Sequence, residues 1–200
     1  MTLVNEDILA VVNGTGMDVS KTSNDLLDNI WREIASDRKA NSLIAGITQM
    51  TRRALNASVS LLFFIDEETQ ELVLKYSGGL IMRQVRRFPI DEQSGLTGWV
   101  ARSGRSAVMN SVINNPRVNR FAHKVYGFTA RSLICAPVIV QRKVVGVIEV
   151  ANKADRPAFT KQDVHTLAGV AATAAQVIEN VRLNDCLRGY YKAPLTRWYL

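Results

Sequence analysis

The sequence predicts an α+β fold: an antiparallel six-stranded sheet with helices on one face and long helices at both ends of the chain. Two observations carry this. Short apolar runs bounded by polar turns recur between residues 57 and 151. Stretches with a 3.6-residue apolar period flank them on both sides. No internal repeat or low-complexity segment interrupts the order.

From Ser23 the first helical pattern begins, with Leu26, Leu27, Ile30 and Ile34 on one face and Leu43, Ile44, Ile47, Met50 and Ala54 continuing it. It reads as one long helix or as two with a break near Ser36-Asp37. Ala57 to Ile65 is an apolar strand, Asp66 to Thr69 a polar turn, and Glu71 to Tyr76 the returning strand. Val85 to Ile90 follows as a third, short strand. Gly95 to Ala101 is a glycine-punctuated opening of a short helix that Ser103-Gly104 ends, and Ala107 to Met109 is a brief strand. Residues 110–129 form a long connection, a length often tied to function, with a short helix expected around Asn119 to Lys124.

Ser132 to Val140 and Lys143 to Ala151 are the strongest strands, joined by a tight turn at Gln141-Arg142. The last helix runs from Phe159 to about Tyr190. Thr160 and Asp163 have the spacing of a capping box, and Phe159 can staple against Val164. The domain boundaries expected are a flexible lead over 1–22, one domain over 23–182 with its N-terminal helix, and a helix end and linker over 183–200.

Composition removes several function classes. An apolar share of 47% suits a packed soluble core, and no apolar run reaches the roughly 18 residues of a membrane-spanning helix. The first residues lack a basic start and carry Glu6 and Asp7, which disfavours a secretory signal. Cys135 and Cys186 stand apart, with no disulfide framework, so a cytoplasmic location is expected. The net charge of +7 comes without a helix-turn-helix or zinc-ligand spacing and reads as solvated surface, so neither nucleic acid nor membrane is an expected partner. His123 and His165 form no catalytic constellation, and Cys135 lies in an apolar strand where a thiol is inert.

Over about residues 40–182 the chain resembles the GAF family, most strongly the GAF modules of cyclic-nucleotide phosphodiesterases and adenylate cyclases. The resemblance lies in Gly95-Leu96-Thr97-Gly98-Trp99-Val100-Ala101, in Arg131 to Val138, and in Gly146 to Lys153. Asn152-Lys153, Phe159 and Asp163 match most of the motif that marks cyclic-nucleotide GAF modules, while its last acidic position is Val164 here. Physically, these four residues can close a loop and cap a helix, with a Lys153–Asp163 ion pair pinning the two together.

The resemblance implies a ligand site. The base would be held at Tyr76-Ser77, and the phosphate by backbone N–H groups at Leu96 and Thr97, where a helix N-terminus suits an anion. A lid over 114–129 would bring Asn119, Tyr126 and Thr129, with Ala130 beside them. Ser77 stands where relatives selecting cyclic GMP carry an acid, and Tyr126 and Ala130 fall near lid positions that are threonine there. Glu149 matches an inward-facing acid of the family.

The function this implies is a regulatory sensor that binds a cyclic nucleotide, cAMP or cGMP, requires no cofactor or metal, and is not itself an enzyme. It would dimerise through its terminal helices and pass a helix rearrangement to an effector C-terminal to it. The alternative is a ligand-free dimerisation and relay module.

Overall fold

The computed structural model describes residues 40–66, 68–79, 86–90, 94–116, 118, 120, 130–154 and 158–187. Within them the elements are α1 (Ala40–Ala54), β1 (Ala57–Ile65), β2 (Glu71–Gly78), β3 (Arg86–Pro89), α2 (Gly95–Ser103), β4 (Ala107–Met109), β5 (Leu133–Val140), β6 (Lys143–Lys153) and α3 (Lys161–Leu187). A short 3₁₀ turn, Val112–Asn114, follows β4. The expected helix over 23–39, the expected strand residue Val85 and the tail over 188–200 lie outside the described residues.

The six strands form one sheet in the order β3-β2-β1-β6-β5-β4, with every pairing antiparallel. β1 and β6 sit at its centre. Their sequences read as nearly unbroken apolar runs because the sheet is covered on both faces. Leu62, Phe64, Ile148 and Val150 turn to one face, where they meet Ile44 and Ile47 of α1 and Leu167, Ala171, Ala174 and Ile178 of α3. Leu61, Phe63, Val147 and Ala151 turn to the other, where they meet Leu96, Val100 and Ala101 of α2. The two long helices thus share one face, as the sequence pattern predicts, while the short α2 covers the opposite one.

Local chemistry fixes the joints. Gln141 and Arg142 both adopt positive φ, 49° and 66°, the geometry of the tight β5–β6 hairpin. Gly104 ends α2 in the left-handed region, and its N–H closes on the Val100 carbonyl. Asp66 organises the β1–β2 turn: its carboxylate accepts the N–H groups of Glu68 and Thr69 and pairs with Arg87 on β3 at 2.7 Å. The Arg87 hydrogen bond, aided by the two backbone donors, holds this buried carboxyl below its ordinary value against the opposing effect of burial.

One irregularity decides which side chains share a face. The register passes from Leu62↔Tyr76 to Phe63↔Leu74, leaving Lys75 as an extra residue in β2. The alternation of β2 therefore reverses at Lys75. Leu72 and Leu74 belong to the α2 face, but Tyr76 packs on the α1/α3 face, edge-to-face with Phe64 at 6.3 Å.

Close backbone approach explains Gly146 in β6. A Cβ there would stand 2.5 Å from the Phe63 carbonyl oxygen, which belongs to a neighbouring strand and has no freedom to yield. Gly146→Ala is expected to destabilise the fold by about 1–3 kcal/mol, read as a lowered urea midpoint with an unchanged slope.

Candidate functional site

On the α2 face of the sheet a hydrophobic core surrounds a buried acid near its centre. Along β6, Val147, Glu149 and Ala151 follow one another on this face, and Glu149 pairs with Leu61 of β1 and Cys135 of β5. Its side chain is 1% exposed. A carboxyl this deep needs partners or must give up its charge. It has both remedies. The Thr97 hydroxyl, from the first turn of α2, donates to Glu149 Oε2, and the Cys135 thiol donates to the same oxygen at 3.6 Å. Burial nevertheless dominates and pushes the carboxyl up to about 8, so it holds its proton at neutral pH.

Cys135 is fully buried and free, and burial pushes its thiol well up, partly offset by a hydrogen bond with Thr97. That environment is the reverse of the exposed, electropositive setting a thiolate nucleophile needs. Among the described residues, no three His, Cys, Asp or Glu side chains gather in a way that could hold a metal.

Leu96 and Thr97 precede the first intrahelical bond of α2, which runs from the Gly98 N–H to the Ser94 carbonyl, so both amides belong to the turn that lacks partners within the helix. Gly95 stands at φ 61°, a left-handed conformation that glycine adopts without strain. Both ends of the long connection reach this face: Val112 and Ala130 pack into the same core as Leu96. Ser77 pairs with Leu61 of that core.

Of the residues singled out in the sequence, the structure brings Leu96, Thr97, Ala130 and Glu149 to one face. It does not bring Tyr76 to them. The Lys75 bulge turns that ring to the other side of the sheet, where burial raises its phenol above the ordinary value. Stacking of Tyr76 on a base held over Leu96-Thr97 does not fit this geometry. Asn119, Tyr126 and Thr129 lie outside the described residues.

The second cluster joins the end of β6 to the start of α3. Asn152, at φ 57°, receives the Arg131 N–H on its side-chain oxygen at 2.7 Å, while its own N–H donates to the Ser132 carbonyl at 2.9 Å. The next residue, Lys153, pairs with Asp163 at 2.5 Å and lies 5.7 Å over the Phe159 ring. Asp163 and Thr160 form a reciprocal cap: the Thr160 N–H and hydroxyl donate to Asp163 Oδ2, and the Asp163 N–H donates back to Thr160 Oγ1. Burial alone would raise the Asp163 carboxyl, but Lys153 and Thr160 outweigh it and hold it below its ordinary value. These four motif residues are occupied with loop closure and capping.

Sequence reasoning missed Asn110. Its side-chain amide donates to the Phe159 carbonyl at 3.0 Å and accepts the Phe159 N–H at 2.7 Å, copying a peptide group in a ladder. Only the position of Asn110, directly after β4, hinted at a role.

Comparison with protein families matches residues 41–179 to the GAF domain. The chain belongs to the GAF family. GAF domains are regulatory modules, and this one is related to phosphodiesterase GAF domains. Among curated relatives it is 24% identical over 180 residues to a probable 3′,5′-cyclic phosphodiesterase of Caenorhabditis elegans, covering 84% of this chain and 24% of that protein. It is 33% identical over 76 residues to the cone cGMP-specific 3′,5′-cyclic phosphodiesterase subunit alpha′ of Mus musculus, covering 38% of this chain and 9% of that one. The GAF chain thus spans about a quarter or less of the length of these relatives. Among solved structures, the GAF domain of a phosphoenolpyruvate-protein phosphotransferase from Coxiella burnetii matches with a TM-score of 0.71 at 20% identity, over 84% of this chain and 99% of that one. A free methionine-R-sulfoxide reductase from Neisseria meningitidis shares the fold at a TM-score of 0.68 and 19% identity, over 88% and 99%. No helix among the described residues of this GAF domain is long and apolar enough to cross a membrane.

The raised pKa of Glu149 has a definite pH consequence. The folded protein keeps a proton that the unfolded chain releases above its ordinary value of 4.5. The stability that goes with the neutral carboxyl is full below 4.5 and is lost as pH rises toward about 8. Wild type is therefore expected to lose roughly 2 kcal/mol or more between pH 5 and 8, and Glu149→Gln to lose markedly less, in urea unfolding at each pH.

Proposed function

We propose that this GAF domain is a regulatory sensor that binds a cyclic nucleotide on the α2 face and passes the change through α3 to an effector C-terminal to it. The observation that carries the reading is the meeting of the α2 N-terminal turn with a protonated, buried carboxyl on a largely apolar sheet face. A helix N-terminus offers amides and a positive dipole end to a phosphate, and a neutral acid beneath it removes the repulsion an ionised one would exert. The similarity to a cGMP-specific phosphodiesterase supports the ligand class. On this reading Leu96 and Thr97 hold the phosphate, Ser77 lies on the base side, and Asn119, Tyr126, Thr129 and Ala130 belong to the covering segment. The domain works in the cytoplasm as a dimer through its terminal helices, with neither nucleic acid nor membrane as partner, and without catalysis or a cofactor of its own.

A second reading, a ligand-free dimerisation and relay module, draws on a specific observation. The Thr97 hydroxyl is already committed to Glu149, and Tyr76 faces away from the α2 side.

Thermal unfolding with cyclic AMP, cyclic GMP and 5′-GMP separates the two. A cyclic nucleotide at about 1,000 times its dissociation constant should stabilise the fold by ~4.1 kcal/mol, with 5′-GMP giving less. Thr97→Pro, which removes an amide of the first turn, should abolish the shift, whereas Tyr76→Leu should retain it. Absence of any shift at millimolar cyclic nucleotide supports the relay module instead.

A further inference from the structure

The connection between β4 and β5 begins and ends on the same small group of residues, and that group is the N-terminal cap of α3. At its start, Asn110 holds the main chain of Phe159 through two hydrogen bonds, 2.7 and 3.0 Å. At its end, the Arg131 N–H is held by Asn152 Oδ1 at 2.7 Å. The Val112 N–H donates to the Arg131 carbonyl at 3.2 Å and closes the loop at its base. Phe159 directly precedes the cap residue Thr160, and Asn152 directly precedes Lys153, whose ammonium meets Asp163 at 2.5 Å. The chain of contacts therefore closes on itself: Asn110 to Phe159, the Thr160–Asp163 cap, Lys153, Asn152, Arg131, Val112 and back to Asn110.

From this ring we infer that the base of the 112–131 loop and the first turn of α3 open and close as one cooperative unit, with Asn110 as the residue that couples them. No member can move away without releasing a neighbour that is itself bonded to the next. The Phe159 ring adds an anchor. It is 3% exposed in the α1/α3 core, so the unit is fastened to the helical face while its loop end reaches the α2 face through Val112 and Ala130. Asn110 and Asn152 are thus positioning residues that connect the two faces around the β4 edge of the sheet. Any event that shifts the loop base, whatever its cause, is delivered to the start of α3. The inference does not depend on what the α2 face binds.

Native-state hydrogen exchange on the full chain tests this. In wild type, the amides of Val112, Arg131, Phe159 and Asp163 should share one opening equilibrium, within about threefold, and the central β6 amides, Val147 to Val150, should open more rarely. Asn110→Ala should speed exchange at Arg131 and Asp163 at least tenfold, together with Phe159, and leave Val147 to Val150 of β6 unchanged. Asn152→Gly, which tolerates the left-handed backbone but removes the latch, should speed Phe159 along with Arg131. Asn110→Asp keeps the acceptor for the Phe159 N–H and loses the donor, so it serves if the alanine variant does not fold. The inference is overturned if wild-type Phe159 and Arg131 differ more than tenfold in protection. It is equally overturned if each variant exposes only its own partner, or if Val147 to Val150 of β6 are exposed to the same degree.

Discussion

The two central strands are buried on both faces, and most of the architecture answers to that constraint. β1 and β6 cannot alternate apolar with polar residues, because neither face meets water. Each face must then be covered by helices whose apolar sides match it. α1 and α3 serve one face and α2 the other, and the two cores are separated by a single layer of backbone. A polar group in the middle of such strands costs several kcal/mol unless it is bonded or neutralised. Glu149 survives in β6 by being both, and that combination makes it the point where chemistry enters an otherwise structural sheet.

The same constraint explains the crowding around Asn152 and Asp163. A chain leaving the central strand β6 must turn over the sheet edge and start α3 against the opposite core within a few residues. The left-handed conformation at Asn152 makes the turn, Phe159 plants the new segment in the core, and the Thr160–Asp163 cap satisfies donors that would otherwise face protein. Lys153 and Asp163 are largely buried, at 15% and 12% exposure, so their pairing does more than an exposed ion pair, whose contribution is about 0–1 kcal/mol. The motif that marks the relatives does its work in this chain as a joint.

What the sequence disclosed follows from how local each signal is. The strands were legible because an apolar run of eight or nine residues bounded by turns has few alternatives, and β1 and β4 have the predicted limits. The capping box was legible from spacing, and the Lys153–Asp163 pair from the resemblance to the GAF motif. The direction of Tyr76 was not, since the bulge at Lys75 depends on how β2 aligns with β1 rather than on any residue within β2. The placement of α2 was not legible either. An amphipathic pattern says that a helix buries one side, and does not say which face of a distant sheet receives it. Asn110 meets Phe159 across 49 positions, and Thr97 meets Glu149 across 52. No periodicity reaches so far.

These long-range contacts have a common consequence for how a GAF domain of this kind can carry a signal. The two faces share no side chains, because the sheet backbone lies between them. A disturbance on the α2 side can therefore reach α3 in two ways: by deforming the central strands or by passing around the sheet edge. Deforming the strands means breaking the β1–β6 and β5–β6 ladders, the most extensive pairings in the molecule. Passing around the β4 edge asks only for rearrangement of a few side-chain hydrogen bonds, each of a kind that contributes about 1 kcal/mol net. The edge route is the softer, and it runs along Asn110, Asn152, Lys153 and Asp163, whose side chains bond to parts of the chain distant in sequence.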